Sequence, residues 1–385
     1  MNLFDAAVVI AVALAVVGGW RLGLITRGLG WVGALLGVTF AIAIVPVLSR
    51  WLNPPSDAGV LLLTAGSFIL LLTMGQAIGV AIGSRLRPHP ADENLRRIDS
   101  LGGSMLGIVG VGVILWLLVP LMANTQGWVA STTRTSAFAR AVTDHLPDPP
   151  PQLRDLERGL ANGSFPQLFA SLRPAPELPP PPEGSPVDQE VVRAVAASTA
   201  RVQGEACGLV QSGSSFSVAD GLWLTNAHVV AGTTSSRLTT ADGATDTGTV
   251  VAFDPQLDLA LIASDLTRPA LQFATPSESA SGLVLGFPGG GAFEPSPFLV
   301  GELLTATGYD IYDSALVRRP LLVLASDLEP GDSGSALIDA EGRVLGAAVA
   351  VAPDREGVAY ALQGNAVAAI LASAGEAVST GDCIG

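Results

Sequence analysis

Residues 331–337 read Gly-Asp-Ser-Gly-Ser-Ala-Leu, a serine set between two glycines and followed by an apolar run. A serine hydroxyl attacks a carbonyl well only when an adjacent imidazole takes its proton, and a buried carboxylate must hold that imidazole in one tautomer. Ser333 therefore calls for a histidine and an aspartate. Both lie upstream, in the order His, Asp, Ser: His228 in TNAHVV (225–230) and Asp258 in DPQLDLALI (254–262). The 385 residues contain three histidines. His89 lies in an Arg-rich loop between apolar segments and His145 in a proline-rich stretch, whereas His228 follows the strand-like run LWLTNAHVV and is expected to be the general base. Asp258 is expected in a strand that buries its carboxylate while Leu257, Leu259 and Leu261 pack on the opposite face. Asp254, beside Pro255, competes for that role and reads better as a turn residue. The glycines around Ser333 permit a tight backbone that brings the amides of Gly331 and Ser333 together as an oxyanion hole. Such donors are worth about 3 to 4 kcal/mol each in the transition state. The other common nucleophile turn, Gly-x-Ser-x-Gly, is absent, and its partners would follow in the order Ser, Asp, His.

Residues from about 188 to 373 resemble the trypsin-like, HtrA-type branch of the chymotrypsin fold. The likeness is carried by SGSSFSVADGLWLTNAHVVAG (212–232), DLALI (258–262), LGFPGG (285–290) and LEPGDSGSALIDAEGRVLGAAVA (328–350). It implies an all-β domain of two six-stranded antiparallel barrels with the site in the cleft between them. Short β-rich runs with turn signals about every 8 to 12 residues agree, with little helical periodicity before GNAVAAILASAG (364–375). HtrA-type enzymes usually add a PDZ domain after the protease. Here about a dozen residues follow the last helix, so substrate selection is expected elsewhere. Asp327, six residues before Ser333, stands where trypsin-like enzymes place the floor of the first specificity pocket, and a carboxylate there would favour Arg or Lys. The strand GAAVAVA (346–352), expected to line the pocket with Ala348 and Val349, is apolar, and the reading leans to an apolar or small P1 residue.

Four apolar segments, about 4–20, 29–49, 59–83 and 101–123, are long enough or nearly so to cross a hydrocarbon layer of about 30 Å. The first has no basic n-region and no A-x-A site before Arg21, so it is expected to be a retained helix rather than a signal peptide. The chain has no lysine. Arginines 21, 27, 85, 87, 96 and 97 fall after the first and third segments, the second loop holds only Arg50, and the N-terminus has none. The side rich in arginine is expected in the cytoplasm, with both termini and the β-domain on the extracytoplasmic side. Gly33 and Gly37, Gly75, Gly79 and Gly83, and Gly103 and Gly107 stand four apart, a spacing that lets membrane helices approach closely. Apart from Asp5 at the edge, no embedded Asp, Glu, His or Arg suggests an ion path, which disfavours transport. A four-helix module of this kind joined to a trypsin-like domain resembles the MarP-type membrane serine proteases of actinobacteria, whose membrane part is similar to colicin V production proteins. That resemblance implies a cell-envelope protease connected with acid and oxidative stress.

The expected organisation is therefore a transmembrane domain (1–123), a proline-rich extracytoplasmic linker (124–187) and a protease domain (188–385). RPAPELPPPPEGSP in the linker favours extended polyproline structure, a semi-rigid spacer, and the resemblance suggests self-cleavage there. The first 123 residues hold seven arginines against five acidic residues, a net of +2, which leaves 13 against 29, a net of −16, in the remainder. So acidic a domain is a poor match for nucleic acid or anionic lipid. Cys207 and Cys383 are the only cysteines. Outside the membrane they can form a disulfide closing a loop of roughly 176 residues, worth up to about 5 kcal/mol in the chain-entropy model; two free thiols are the alternative. No motif calls for a metal or another cofactor. The expected partners are peptide or protein substrates and, through the helices, the bilayer. A membrane scaffold whose protease-like domain only binds peptides is the competing function.

Overall fold

The computed structural model describes residues 2–52, 57–86, 93–125, 127–147, 168–169, 172–206 and 208–384. The chain divides into two units, Met1–Val119 with Ser136–Phe138, and Pro120–Thr135 with Ala139–Gly385.

The first unit is built on three long apolar helices, not the four expected: α1 (Leu3–Leu52), α2 (Asp57–Leu86) and α3 (Glu93–Ala123). The 4–20 and 29–49 segments both fall in α1, which is interrupted only at Gly23, with φ 74° and ψ 169°. Leu3–Val45, Gly66–Leu86 and Glu93–Ala123 are each long and apolar enough to cross a membrane. Leu14, Leu35, Ile69 and Met105 are all more than 60% exposed, far more apolar surface than a water-soluble helix bundle presents.

Glycine sets how closely these helices approach. A Cβ on Gly33 would collide with the carbonyl of Gly75, one on Gly37 with that of Leu71, and one on Gly79 with that of Leu29. On the other arm of α1, Gly19 and Gly103 meet backbone to backbone, and a Cβ on Gly107 would stand 2.6 Å from Ala15 O. Thus α2 lies on the part of α1 after Gly23, whereas α3 meets the part before it backbone to backbone and reaches Leu24, Arg27 and Trp31 beyond the break. Arg27, expected in a loop, is a residue of α1 instead. Its Nη1 donates to Ala15 O at 2.7 Å and its guanidinium stands over Gly107, so the glycine notch accommodates a charge within the helical layer.

The second unit contains two closed six-stranded antiparallel barrels. The first comprises β1 (Thr199–Ala206), β2 (Leu209–Ala219), β3 (Leu222–Thr225), β4 (Ser236–Thr240), β5 (Thr245–Asp254) and β6 (Leu259–Ala263), in the order β1-β2-β3-β6-β5-β4. The second comprises β7 (Ser281–Gly286), β8 (Glu294–Tyr309), β9 (Leu316–Ala325), β10 (Ala336–Ile338), β11 (Val344–Val351) and β12 (Val358–Gln363), in the order β10-β11-β12-β9-β8-β7. Closure pairs every strand and leaves no edge open along the sheet. Alternation in β4, where Ser236, Leu238 and Thr240 are buried and Arg237 exposed, is what one wetted face dictates. Trp223, Val202, Leu238 and Ile262 fill the first barrel, and Phe298, Val300, Leu322 and Leu345 the second. A third cluster joins Phe216, Leu224 and Leu261 of the first barrel to Leu285, Leu321 and Val323 of the second, so the two barrels share apolar surface.

Residues 172–187, expected as part of a semi-rigid spacer, pack on the second barrel. Leu178 fills the notch left by Gly301, Pro181 rests on Gly357, and Ala175 N donates to Asp354 Oδ2 at 3.0 Å. Phe169 meets Tyr360 edge to face with ring centroids 5.3 Å apart. Proline-rich chain has little conformational freedom to lose, and alternating apolar contacts suffice to hold it. Before this strap come α4 (Trp128–Arg134) and α5 (Ala137–His145), and after it α6 (Gln189–Ala196), N-capped by Asp188. Gly127 N donates to Pro353 O at 2.9 Å. His89 and linker residues 148–167 lie outside the described residues.

Candidate active site

His228 sits in α7 (Ala227–Val230), a single turn that leaves β3 through Thr225 and Asn226. The apolar residues of that turn, Ala227, Val229 and Val230, are buried, which leaves the imidazole as its partly exposed side chain. Asp258 is not within a strand, as expected, but is the last residue of the turn that precedes β6. Its φ is +60°, a region that residues other than glycine rarely occupy. Five interactions fix it there. Asp254 Oδ1 accepts Gln256 N and Leu257 N, each at 2.9 Å, which makes it the turn residue. Asn226 Nδ2 donates to Asp258 O at 2.8 Å. The Asp258 carboxylate accepts His228 N through Oδ1 at 2.9 Å and approaches His228 Nδ1 through Oδ2 at 2.8 Å. Fully buried, Asp258 has its carboxylate turned to His228, an arrangement that fixes the Nδ1–H tautomer and leaves Nε2 to accept a proton.

Ser333 is 4% exposed in the turn before β10. Ser214 N of β2 donates to its carbonyl at 2.7 Å, and Ser214 Oγ donates to Gly331 O at 2.7 Å while accepting Phe287 N at 3.0 Å. One serine of the first barrel thus anchors the Ser333 turn of the second. Among the described residues, no hydrogen bond links Ser333 Oγ to His228; such bonds are often long without substrate and tighten on binding. Gly331 has φ +107°, and a Cβ on it would stand 2.5 Å from Phe287 O and 2.8 Å from Gly290 N. Only glycine fits. Pro330 O accepts Gly289 N at 2.6 Å, and because the peptide is trans, the Gly331 N–H points the opposite way. Among the described residues, neither the Gly331 nor the Ser333 N–H is engaged by a protein acceptor. Two buried amides in one turn can serve an anionic oxygen.

Asp332, between them, has no role in the sequence reading. It is 2% exposed, and Oδ2 accepts Glu329 N at 3.0 Å, closing the turn. Burial pushes its carboxyl up to about 6; the Glu329 N–H opposes the rise, and the charges of Glu329 and Glu294 add to it. Gly286 exists to make room, since a Cβ there would strike this carboxylate.

The expected specificity residues do not share one surface. Asp327 is exposed, Ala348 is buried with its backbone bonded to Gly334 N and Ser335 O at 2.9 Å each, and Val349 belongs to the hydrophobic core at a β-bulge. Cys383 is disulfide-bonded, while Cys207 lies outside the described residues. No cluster of His, Cys, Asp or Glu suited to a metal occurs among the described residues. Asn226 and Ser214 had a signal in the sequence, each lying inside a motif that carries the resemblance. Arg319, whose Nε donates to Gln256 O at 2.7 Å, had none.

Two family models match this sequence: the trypsin-like peptidase domain at residues 213–346 and the colicin V production protein at residues 4–147. The chain is 33% identical over 396 residues to the serine protease Rv3671c of Mycobacterium tuberculosis H37Rv, covering 99% of this chain and 98% of that protein. It is 27% identical over 168 residues to a putative serine protease HhoB of Synechocystis, a match covering 42% of this chain and 38% of that one. The crystal structure of the active form of the Rv3671c protease from M. tuberculosis superimposes with a TM-score of 0.51 at 35% identity, covering 55% of this chain and 99% of that one.

Proposed function

This chain belongs to the MarP-type membrane serine proteases, and on that premise we propose that it is an extracytoplasmic endopeptidase working through His228, Asp258 and Ser333. The observation that carries the reading is the grip of Asp258 on His228, with Oδ2 2.8 Å from Nδ1 and Oδ1 2.9 Å from the backbone N. His228 Nε2 takes the Ser333 proton as Oγ attacks the peptide carbonyl. The Gly331 and Ser333 amides receive the oxyanion, His228 returns the proton to the leaving amine, and water resolves the acyl-enzyme by the same route. The test is labelling of the full-length protein by a fluorophosphonate probe. Wild type is expected to label and Ser333→Ala not to; an unlabelled wild type with its disulfide intact would favour the peptide-binding scaffold.

The anchor supports four crossings within three helices. The 43 residues of Leu3–Val45 would extend about 65 Å as one straight helix, twice the hydrocarbon thickness, and Gly23 supplies the break between two arms. Arginine placement supports reading the protease as extracytoplasmic, a compartment in which the disulfide of Cys383 is chemically permitted. We assign the enzyme to acid- and stress-related turnover in the envelope by family membership alone. Linker self-cleavage belongs to the same reading: wild type is expected to run shorter than Ser333→Ala in cells, and equal full length for both would end it.

A further inference from the structure

Arg319, on β9, is among the largest fully buried side chains of the protein, 1% exposed. A guanidinium is charged at any working pH and offers five N–H donors. An apolar side chain of the same volume would fill that place at less desolvation cost, so its surroundings are the clue to its use. Nε donates to Gln256 O at 2.7 Å and Nη1 to Tyr309 O at 2.8 Å, while Nη2 is buried without an acceptor. Gln256 is not in the barrel that carries Arg319. It lies in the first barrel, two residues before Asp258, in the turn whose last residue has φ +60°.

A second tie runs the same way: Ile311 N, in the β8–β9 connection, donates to Pro255 O at 3.2 Å. The turn that carries Asp258 is therefore held by Asp254 and Asn226 from its own barrel and by Arg319 and Ile311 from the other. No carboxylate forms an ion pair with Arg319 among the described residues; its charge acts at longer range, first on Asp258 and then on Asp310 and Asp254. Desolvation draws the guanidinium below its ordinary value, opposed by those three carboxylates.

We propose that Arg319 is a positioning residue of the triad: from the second barrel it pins the strained turn that ends in Asp258, and so holds the Asp258 carboxylate in place opposite His228. Seating of one barrel on the other then becomes a condition for a competent base. This rests on the triad reading above. The groups that face Arg319 fix the sign of its pH effect. Asp254, Asp258 and, behind it, His228 face it from the first barrel; Asp310 faces it from the β8–β9 connection, with Tyr312 and Asp382 beyond. Apart from His228, every ionisable group here is acidic, so removing the guanidinium leaves His228 in a more negative field. The imidazolium becomes easier to form, and the acid limb of the reaction moves to higher pH.

The test follows the rate of fluorophosphonate labelling of Ser333 against pH, using the full-length protein in detergent, for wild type, Arg319→Lys, Arg319→Gln and Arg319→Met. Arg319→Lys is expected to lose about ten-fold in rate with the acid limb in place, because an ammonium keeps the charge without the fork that reaches both carbonyls. Arg319→Gln and Arg319→Met are expected to lose more and to shift the acid limb upward. Equal losses in all three variants with an unmoved limb would mean packing alone and overturn the proposal, as would wild-type profiles throughout. Failure of all three variants to fold would make Arg319 a folding residue and overturn it too. An unlabelled wild type would instead sink the triad reading, which keeps the two failures apart.

Discussion

Asp332 is the residue whose burial has the largest consequence for behaviour with pH. A carboxyl at about 6 in the folded protein and near 3.8 unfolded prefers the folded state when protonated. Its contribution is complete below about pH 4 and is lost as the pH rises through 6, a difference on the order of 3 kcal/mol. Asp242 and Asp246 act in the other direction: the hydroxyls of Thr240 and Ser264 hold them below the ordinary carboxylate value, so their stabilisation is lost only as the pH falls below about 4. Denaturant unfolding between pH 4 and 7.5 should therefore show wild type weakening across that range. Asp332→Asn keeps an acceptor for Glu329 N and should be flatter, and more stable at pH 7.5. An identical slope in the two proteins would mean that Asp332 ionises freely.

At the scale of elements, the helices of the first unit depend on glycine for contact and the barrels on side-chain volume. Gly33→Ala puts a methyl into the Gly75 carbonyl and should lower the melting midpoint in detergent, since α1 and α2 must separate locally. Gly112→Ala is the control, because nothing lies within 4 Å of its Cβ, and it should leave the midpoint unchanged or raise it slightly. Equal midpoints for the two variants would remove the close-packing account. The glycine spacing could be read from sequence, because period four on a helix is one face. The partner of each glycine could not, because spacing along one helix says nothing about which neighbour meets it. The docked strap was hidden for a related reason. Polyproline sequence has the same local conformation free or bound, and its seats, among them Gly301 on β8 and Gly357 in the turn before β12, lie far away in sequence.

Across the whole molecule, the acidic residues 124–385 and the near-neutral apolar-helix part are one chain with a disulfide cysteine, Cys383, near its C-terminus. If Cys383 is tied to Cys207, reduction should lower the unfolding midpoint of the protease unit by an amount equivalent to at most about 5 kcal/mol, the chain-entropy limit for so long a loop. An unchanged midpoint under reductant would place no constraint on that loop. By itself the sequence determined the class, a serine protease, and the proposed order His228, Asp258 and Ser333, because a serine nucleophile, its base and the orienting acid leave few choices in a chain with three histidines. It determined the apolar lengths that fit a membrane as well, since length and composition are local quantities. The tertiary structure alone decided that Asp258 is a strained turn residue rather than a strand residue, that Arg27 lies among the helices, and that Arg319 reaches across from the opposite barrel. Each of these depends on residues far apart in sequence meeting in space, and no local pattern records such a meeting.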